Sequence, residues 1–372
     1  MSHELHRLYE IYPTDTRATV PLGLRVNDLV YGLLSGLDPA TGVGVSTLEG
    51  QLDGLGNQLR TLLKRSEAKQ IERVWACVAD GIDTAEVEAR LRSLLGASNA
   101  GAHVTVACTG LVDGELVRLG VVASASAVEA CEGEDEAAGL PARVSMGPVL
   151  LLPWITPVDS LAGGPDTDTQ LRVIFEQMDA LLASAGCSRD DVARVCVFLR
   201  EVSDLPILNG VWSDWYPDEL DRPPHKYVPA ALPEGHRAAI RVIVRPGAKR
   251  RVLEIPNVRH GDPMSLGALH GELIVTSRVI PTRGRFADVT PTPGEYAEHV
   301  LGNARAVIEA GGADLSKLQQ ATVFIGHAEF RTEVEAQWAS FVAAGATNAR
   351  LDIVEATLNR DGLPRIEIVA VV

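Results

Sequence analysis

Glu367 stands in a closing run of otherwise apolar residues, Ile366, Ile368, Val369 and Ala370. A carboxylate in that setting points outward, pairs with a neighbour such as Arg365, or lines a cleft. In a cleft it has the chemistry of a general acid or base. Arg350 follows Asn348-Ala349 and precedes an alternating strand, where it is either a surface arginine or a ligand for an anion. A planar guanidinium meets a carboxylate with two parallel hydrogen bonds, which an ammonium cannot do. Ser277 closes an apolar run and reads as a locally satisfied hydroxyl or as a reactive one. His225, beside Lys226, and His103 read as surface histidines or as acid–base groups. Trp212, Trp215 and Tyr216 fit the packing face of a helix better than a substrate platform.

The surroundings remove several classes of chemistry. The nine histidines form no HxxxH or HxH pair, so no metal site is expected. No GxGxxG or GxxxxGK[ST] is present, and no cofactor is implied. The five cysteines, Cys77, Cys108, Cys131, Cys187 and Cys196, are odd in number and lack CxxC spacing, which suits reduced thiols. A net charge of −15 opposes a nucleic-acid partner, and the single basic run, Lys249-Arg250-Arg251, reads as a solvated linker. No apolar run is long enough to span a bilayer, so no membrane partner is expected. The first nineteen residues lack the apolar core of a signal peptide, and a cytoplasmic location is expected.

The elements that must position these residues recur. An apolar strand appears as Arg73-Val74-Trp75-Ala76-Cys77-Val78, as Arg194-Val195-Cys196-Val197-Phe198-Leu199 and as Ala321-Thr322-Val323-Phe324-Ile325. Trp75, Cys196 and Thr322 then lie 121 and 126 residues apart. A helical stripe precedes each strand: Leu48, Leu52, Leu55, Leu59, Leu62 and Leu63; Leu171, Phe175, Met178, Leu181 and Leu182; Val300, Ala304, Val307 and Ile308. Thr167 and Thr292 are the expected N-caps of the latter two. Second helices are expected at 85–95, 205–216 and 333–342, closing strands at 116–123, 238–244 and 365–372, and opening strands at 28–34, 149–152 and 272–276. Residues 125–139 and 246–257 read as linkers. The chain is therefore α+β, with three tandem domains at 16–125, 140–246 and 257–372. Each is a mixed sheet with two helices on one face.

These motifs resemble the Rid (YjgF/YER057c/UK114) family. The family's Thr-Ser-Gly strand followed by Pro is similar to Thr276-Ser277 and Ile280-Pro281, and its Pro-x-Thr-Gly turn to Pro39-Ala40-Thr41-Gly42. Its helix end is matched by Ala185-Gly186-Cys187-Ser188-Arg189-Asp190-Asp191-Val192, and its Asn before a Tyr by Asn209 in Leu208-Asn209-Gly210-Val211-Trp212. Its Pro-Ala-Arg, Leu-Pro turn and Glu-Ile-Glu are met by Asn348-Ala349-Arg350, Leu358 and Ile366-Glu367-Ile368, and in the second copy by Ala231-Leu232-Pro233. The resemblance spans residues 20–372, strongly in the second and third copies and weakly in the first.

What the resemblance implies is a Rid-like, chorismate-mutase-like fold in triplicate, closing into a pseudo-trimer within one chain. It implies a hydrolase or deaminase of a small imine, enamine or related carboxylate, with at most one working cleft between domains. Arg350 would bind the carboxylate, and Glu367 with Ser277 would place and activate water. Asn209, His225 and Lys226 would be substrate-binding. The third copy departs at the family's Tyr and Asn positions, where Met264 and Glu335 stand. The second places Pro224, Ala239 and Pro153 at the Arg, Glu and Ser positions, and the first places His103, Arg118 and Gly32. If Arg350 and Glu367 face different copies, His225 or Lys226 is left as the cation beside Glu367. Two alternatives stand beside this reading: an enzyme of specialised metabolism acting on a cyclic carboxylate, by analogy with chorismatases, and a non-catalytic small-molecule-binding protein.

Overall fold

A computed structural model describes residues 4–14, 17–108, 111, 114–125, 143–157, 166–230, 232, 235–281, 291–355 and 362–372. Most of the first expected linker, Cys131, Ala231, Pro233 and Leu358, and the side chain of Pro153, lie outside the described residues. The chain is α+β, with three mixed sheets and, among the described residues, six α-helices. It packs as two compact units, Met1–Pro153 with Ala230–Gly235, and Trp154–Pro229 with His236–Val372. Among the described residues no helix is long and apolar enough to cross a membrane.

The first unit holds β1 (Leu8–Ile11), β2 (Gly23–Val26), β3 (Leu29–Ser35), α1 (Leu48–Ser66), β4 (Gln70–Val78), α2 (Thr84–Leu95), β5 (His103–Cys108) and β6 (Val117–Ser124). Its sheet runs β1-β2-β3-β6-β4-β5, with only β4 and β5 parallel. The stripe Leu52, Leu55, Leu59 and Leu62 of α1 is buried in the same core as Val30, Val74, Leu119 and Val121. That helix lacks a terminal glycine, and Glu67 adopts the left-handed conformation at its C-cap (φ 58°). The unit continues into the hairpin β7 (Val144–Met146) and β8 (Val149–Ile155), with Met146 opposite Val149.

The second unit holds α3 (Thr167–Ser184), β9 (Val192–Leu199), α4 (Leu205–Trp215), β10 (His225–Pro229) and β11 (Ala238–Val244), then β12 (Arg250–Leu253), β13 (Gly267–His270), β14 (Leu273–Thr276), α5 (Pro293–Ala310), β15 (Leu318–Ile325), α6 (Glu329–Ala343), β16 (Arg350–Glu355) and β17 (Arg365–Val371). One sheet runs β12-β13-β14-β17-β15-β16. In the other, β9 lies between β10, which is parallel to it, and β11, which is antiparallel. The orders β5-β4-β6, β10-β9-β11 and β16-β15-β17 are the same. The pairing of each closing strand also shifts register where β4, β9 and β15 carry one extra residue near their start, at Glu72, Ala193 and Gln319.

That register corrects two alignments made from sequence. Trp75, Cys196 and Thr322 lie opposite Gly120, Arg241 and Glu367. The counterparts of Glu367 are thus Gly120 and Arg241, two residues beyond Arg118 and Ala239. The three pairs have the same separation along the chain, so the correction follows from the strand register and not from a bulge. The N-cap of α3 is Asp166 rather than Thr167, because the Asp166 carboxylate accepts from Thr169 N, whereas the Thr167 hydroxyl donates to Asp204. Thr292 does cap α5, in a capping box with Glu295.

The second expected linker is structured. Strand β12 pairs with β13, and Arg250 within it is buried, at 7% exposure. Its guanidinium donates to Val192 O at 2.8 Å and Asp221 O at 2.7 Å, and makes an ion pair with Asp221 at 3.0 Å. Arg251 is exposed and donates to Ala310 O and Gly311 O at the end of α5. We expect Arg250→Ala to cost about 2–3 kcal/mol, because it strands buried carbonyls. Arg251→Ala should cost under about 1 kcal/mol. Urea unfolding of the two variants checks the difference, and equal losses would contradict it.

Candidate functional site

Strand alternation decides where Glu367 points. Ile366 and Ile368 pack into the core formed with α5, together with Val300, Ala304 and Val307. Glu367 between them therefore faces away from the helices. It is nevertheless only 2% exposed. Lys226 Nζ of β10 lies 2.7 Å from its Oε2, with Arg194 of β9 at 3.8 Å. Arg278, which follows Ser277 at the end of β14, has its Nε 3.9 Å from Oε1. Three buried cations thus share one buried carboxylate. The geometry is graded, since only the lysine contact is within hydrogen-bond distance.

Above this cluster a small cleft is lined by His225, Lys226, Tyr227, His260, Asp262, Met264, Arg278 and Arg365. Its free volume is about 10 Å³, at the size that admits one water molecule. Glu367 is not part of that lining, and Lys226 and Arg278 stand between it and the opening. His225 is fully buried, its ring 4.1 Å from that of Trp212 on α4. Neither of its ring nitrogens has a hydrogen-bond partner among the described residues, nor does Nη2 of Arg278 or Oε1 of Glu367. Burial, helped by the charges of His260, Arg278 and Arg222, pushes His225 down to about 3. Burial, with Arg365 and Arg278, pushes His260 down to about 4. Both imidazoles are therefore neutral near pH 7. His260 Nε2 lies 2.8 Å from Ser277 Oγ, and that hydroxyl also donates to Leu266 O.

The residues singled out from sequence separate here. Glu367, Lys226, His225 and Ser277 come together in or beneath the cleft. Asn209 touches it indirectly, donating to Asp262 Oδ1 at 2.7 Å. Arg350 lies on β16 opposite Gln320 and is not among the lining residues. His225 is no surface histidine, while His103 is exposed. Glu335 is exposed on α6. Gly32 is a packing residue, since a Cβ there would sit 2.3 Å from Leu62 Cδ2. Trp212 and Tyr216 pack within the fold, and Trp212 also supports His225. Sequence reasoning missed Arg194, His260 and Arg278. The signal for Arg278 was present, because it occupies the glycine place of the Thr-Ser-Gly motif. Among the described residues no group of three or more His, Cys, Asp or Glu is placed to hold a metal ion.

Residues 152–245 match the model of the family described as Endoribonuclease L-PSP. The 3-aminoacrylate deaminase RutC of Acinetobacter baylyi is 32% identical over 95 residues, 26% of this chain and 63% of that protein. The chain spans between 60% and 63% of the length of the curated relatives it matches. Among solved structures, the YjgF gene product of E. coli is 26% identical, covering 32% of this chain and 98% of its own, with a TM-score of 0.29. A chorismatase is 16% identical, covering 82% of this chain and 93% of its own, with a TM-score of 0.48.

Charge counting predicts an asymmetry. Glu367→Gln removes the carboxylate that three buried cations share and should cost about 3–5 kcal/mol. Lys226→Met leaves the carboxylate facing two arginines and should cost about 1 kcal/mol or less. Urea unfolding that ranks Lys226→Met as the worse variant would refute the count. A second expectation concerns pH. The folded values of His225 and His260 lie below the ordinary 6.5, so the unfolded chain binds more protons at acid pH. Stability should be complete above about pH 6.5 and decline toward pH 4, by on the order of 1 kcal/mol per pH unit for each ring. Thermal melts at pH 7.5 and 5.0 should differ, and His225→Gln should narrow the difference.

Proposed function

We propose, from the match of residues 152–245 to the family described as Endoribonuclease L-PSP and their likeness to a 3-aminoacrylate deaminase, that this chain is Rid-like and hydrolyses a small imine or enamine carrying a carboxylate. The reaction takes place in the cleft above Glu367. The observation that carries the reading is the pairing of a cation-lined opening with a buried carboxylate behind it, Lys226 joining the two at 2.7 Å. The substrate carboxylate meets the cations of the lining. The oxygen of water adds to the imine carbon, and its proton passes to the Lys226–Glu367 pair. The same pair returns that proton to nitrogen to give a carbinolamine, then carries the hydroxyl proton to nitrogen as the C=O bond forms and the C–N bond breaks, so that ammonia leaves a 2-oxo acid. Neutral His225, with neither nitrogen engaged among the described residues, is available to orient the water.

A non-catalytic binding role is favoured by one observation. Lys226 holds Oε2 of Glu367 in a closed ion pair, and little free volume remains above it. Steady-state hydrolysis of 2-iminobutyrate, followed as ammonia release, separates the two readings. Catalysis predicts a rate above that in buffer, and Lys226→Met should lower kcat by roughly 100-fold. Binding of 2-oxo acids in thermal-shift assays, with no acceleration across a panel of amino-acid-derived imines, would establish the binding role instead.

A further inference from the structure

Arg278 has no hydrogen bond to any described residue, although it is only 4% exposed and lines the cleft. Its nearest carboxylate oxygen, Glu367 Oε1, lies 3.9 Å away, beyond hydrogen-bond distance. What holds the guanidinium is aromatic. The Tyr227 ring centroid is 4.5 Å from its central carbon and that of Phe324 is 5.3 Å away. Stacking on ring faces leaves the N–H edge of a guanidinium unengaged. Glu367 gives its short contact to Lys226 and is shared with Arg194, so it cannot neutralise Arg278 as well. The other carboxylate of the lining, Asp262, accepts from Asn209. Arg278 is therefore left without a close counter-charge among the contacts of Glu367, and a buried charge without close compensation is costly.

We propose that Arg278 is the anion clamp of this cleft, gripping the carboxylate of the substrate through its unengaged N–H edge in place of Arg350. The identity of the rest of the ligand rests on the hydrolase reading above; the clamp itself rests on the charge balance and on the position of Arg278. The incoming carboxylate supplies the counter-charge that Glu367 cannot. The small free volume of the cleft favours a flat carboxylate over a tetrahedral phosphate. The flexible Met264 in the lining is the side chain suited to yield room for it.

The test is calorimetric titration of the full chain with 2-oxobutyrate, with butanone as the neutral control and inorganic phosphate as the second anion. The expected result is binding of 2-oxobutyrate, no binding of butanone, and weaker binding of phosphate. Arg278→Met should reduce the affinity by roughly tenfold or more while the apo protein melts no lower than wild type, because an undercompensated buried cation is replaced by an apolar chain. Arg278→Lys keeps the charge and loses the fork. It should weaken binding roughly tenfold, and it serves if the methionine variant does not fold. Undiminished binding in both variants, loss with Arg350→Ala instead, a preference for phosphate, or no binding of 2-oxobutyrate would each overturn the assignment. Binding that depends on Arg278 without hydrolysis of any imine would retain the clamp and remove the proposed activity.

Discussion

One buried carboxylate sets the terms for the second unit. Glu367 is the counter-charge that lets Lys226, Arg194 and Arg278 stay inside the protein. Without it, three buried cations would lose the carboxylate they share, a loss that is costly away from water. Its place is fixed by alternation along β17, whose flanking isoleucines are committed to the core. The packing of α5 thus determines which way the carboxylate faces. The carboxylate in turn determines which charges β9, β10 and the end of β14 can carry.

Much of this was legible in the chain. The strand spacing of Trp75, Cys196 and Thr322 is the spacing of three strands that occupy the same place in their sheets. Helical stripes such as Val300, Ala304 and Val307 fell where core-facing helices form. The alternation around Glu367 marked a carboxylate turned away from the core. Ser277, Glu367 and Lys226, which the resemblance to the Rid family marks, lie in or beside the cleft.

What sequence hid has physical causes. The strand partners of Trp75 and Cys196, Gly120 and Arg241, carry no side chain that resembles Glu367, so residue type gave no sign of their equivalence. The basic run around Arg250 looked solvated because its partners, the carbonyls of Val192 and Asp221, are backbone groups far away in the chain. His225 looked like a surface histidine because burial by Trp212 is a tertiary fact. Arg278 was passed over because a motif comparison notes which residues are kept, while the chemistry here lies in a residue that replaces a glycine.

Strand β10 brings His225, Lys226 and Tyr227 to the cleft from the end of its sheet, held by β9 on one side only. A residue on such a strand answers to one backbone neighbour, whereas β17 lies between two, β14 and β15. Substitution along β10 disturbs half as many pairings as substitution along β17. The side chains that β10 offers to the cleft are thus less constrained by backbone pairing than the residues of β17, which the sheet confines on both sides.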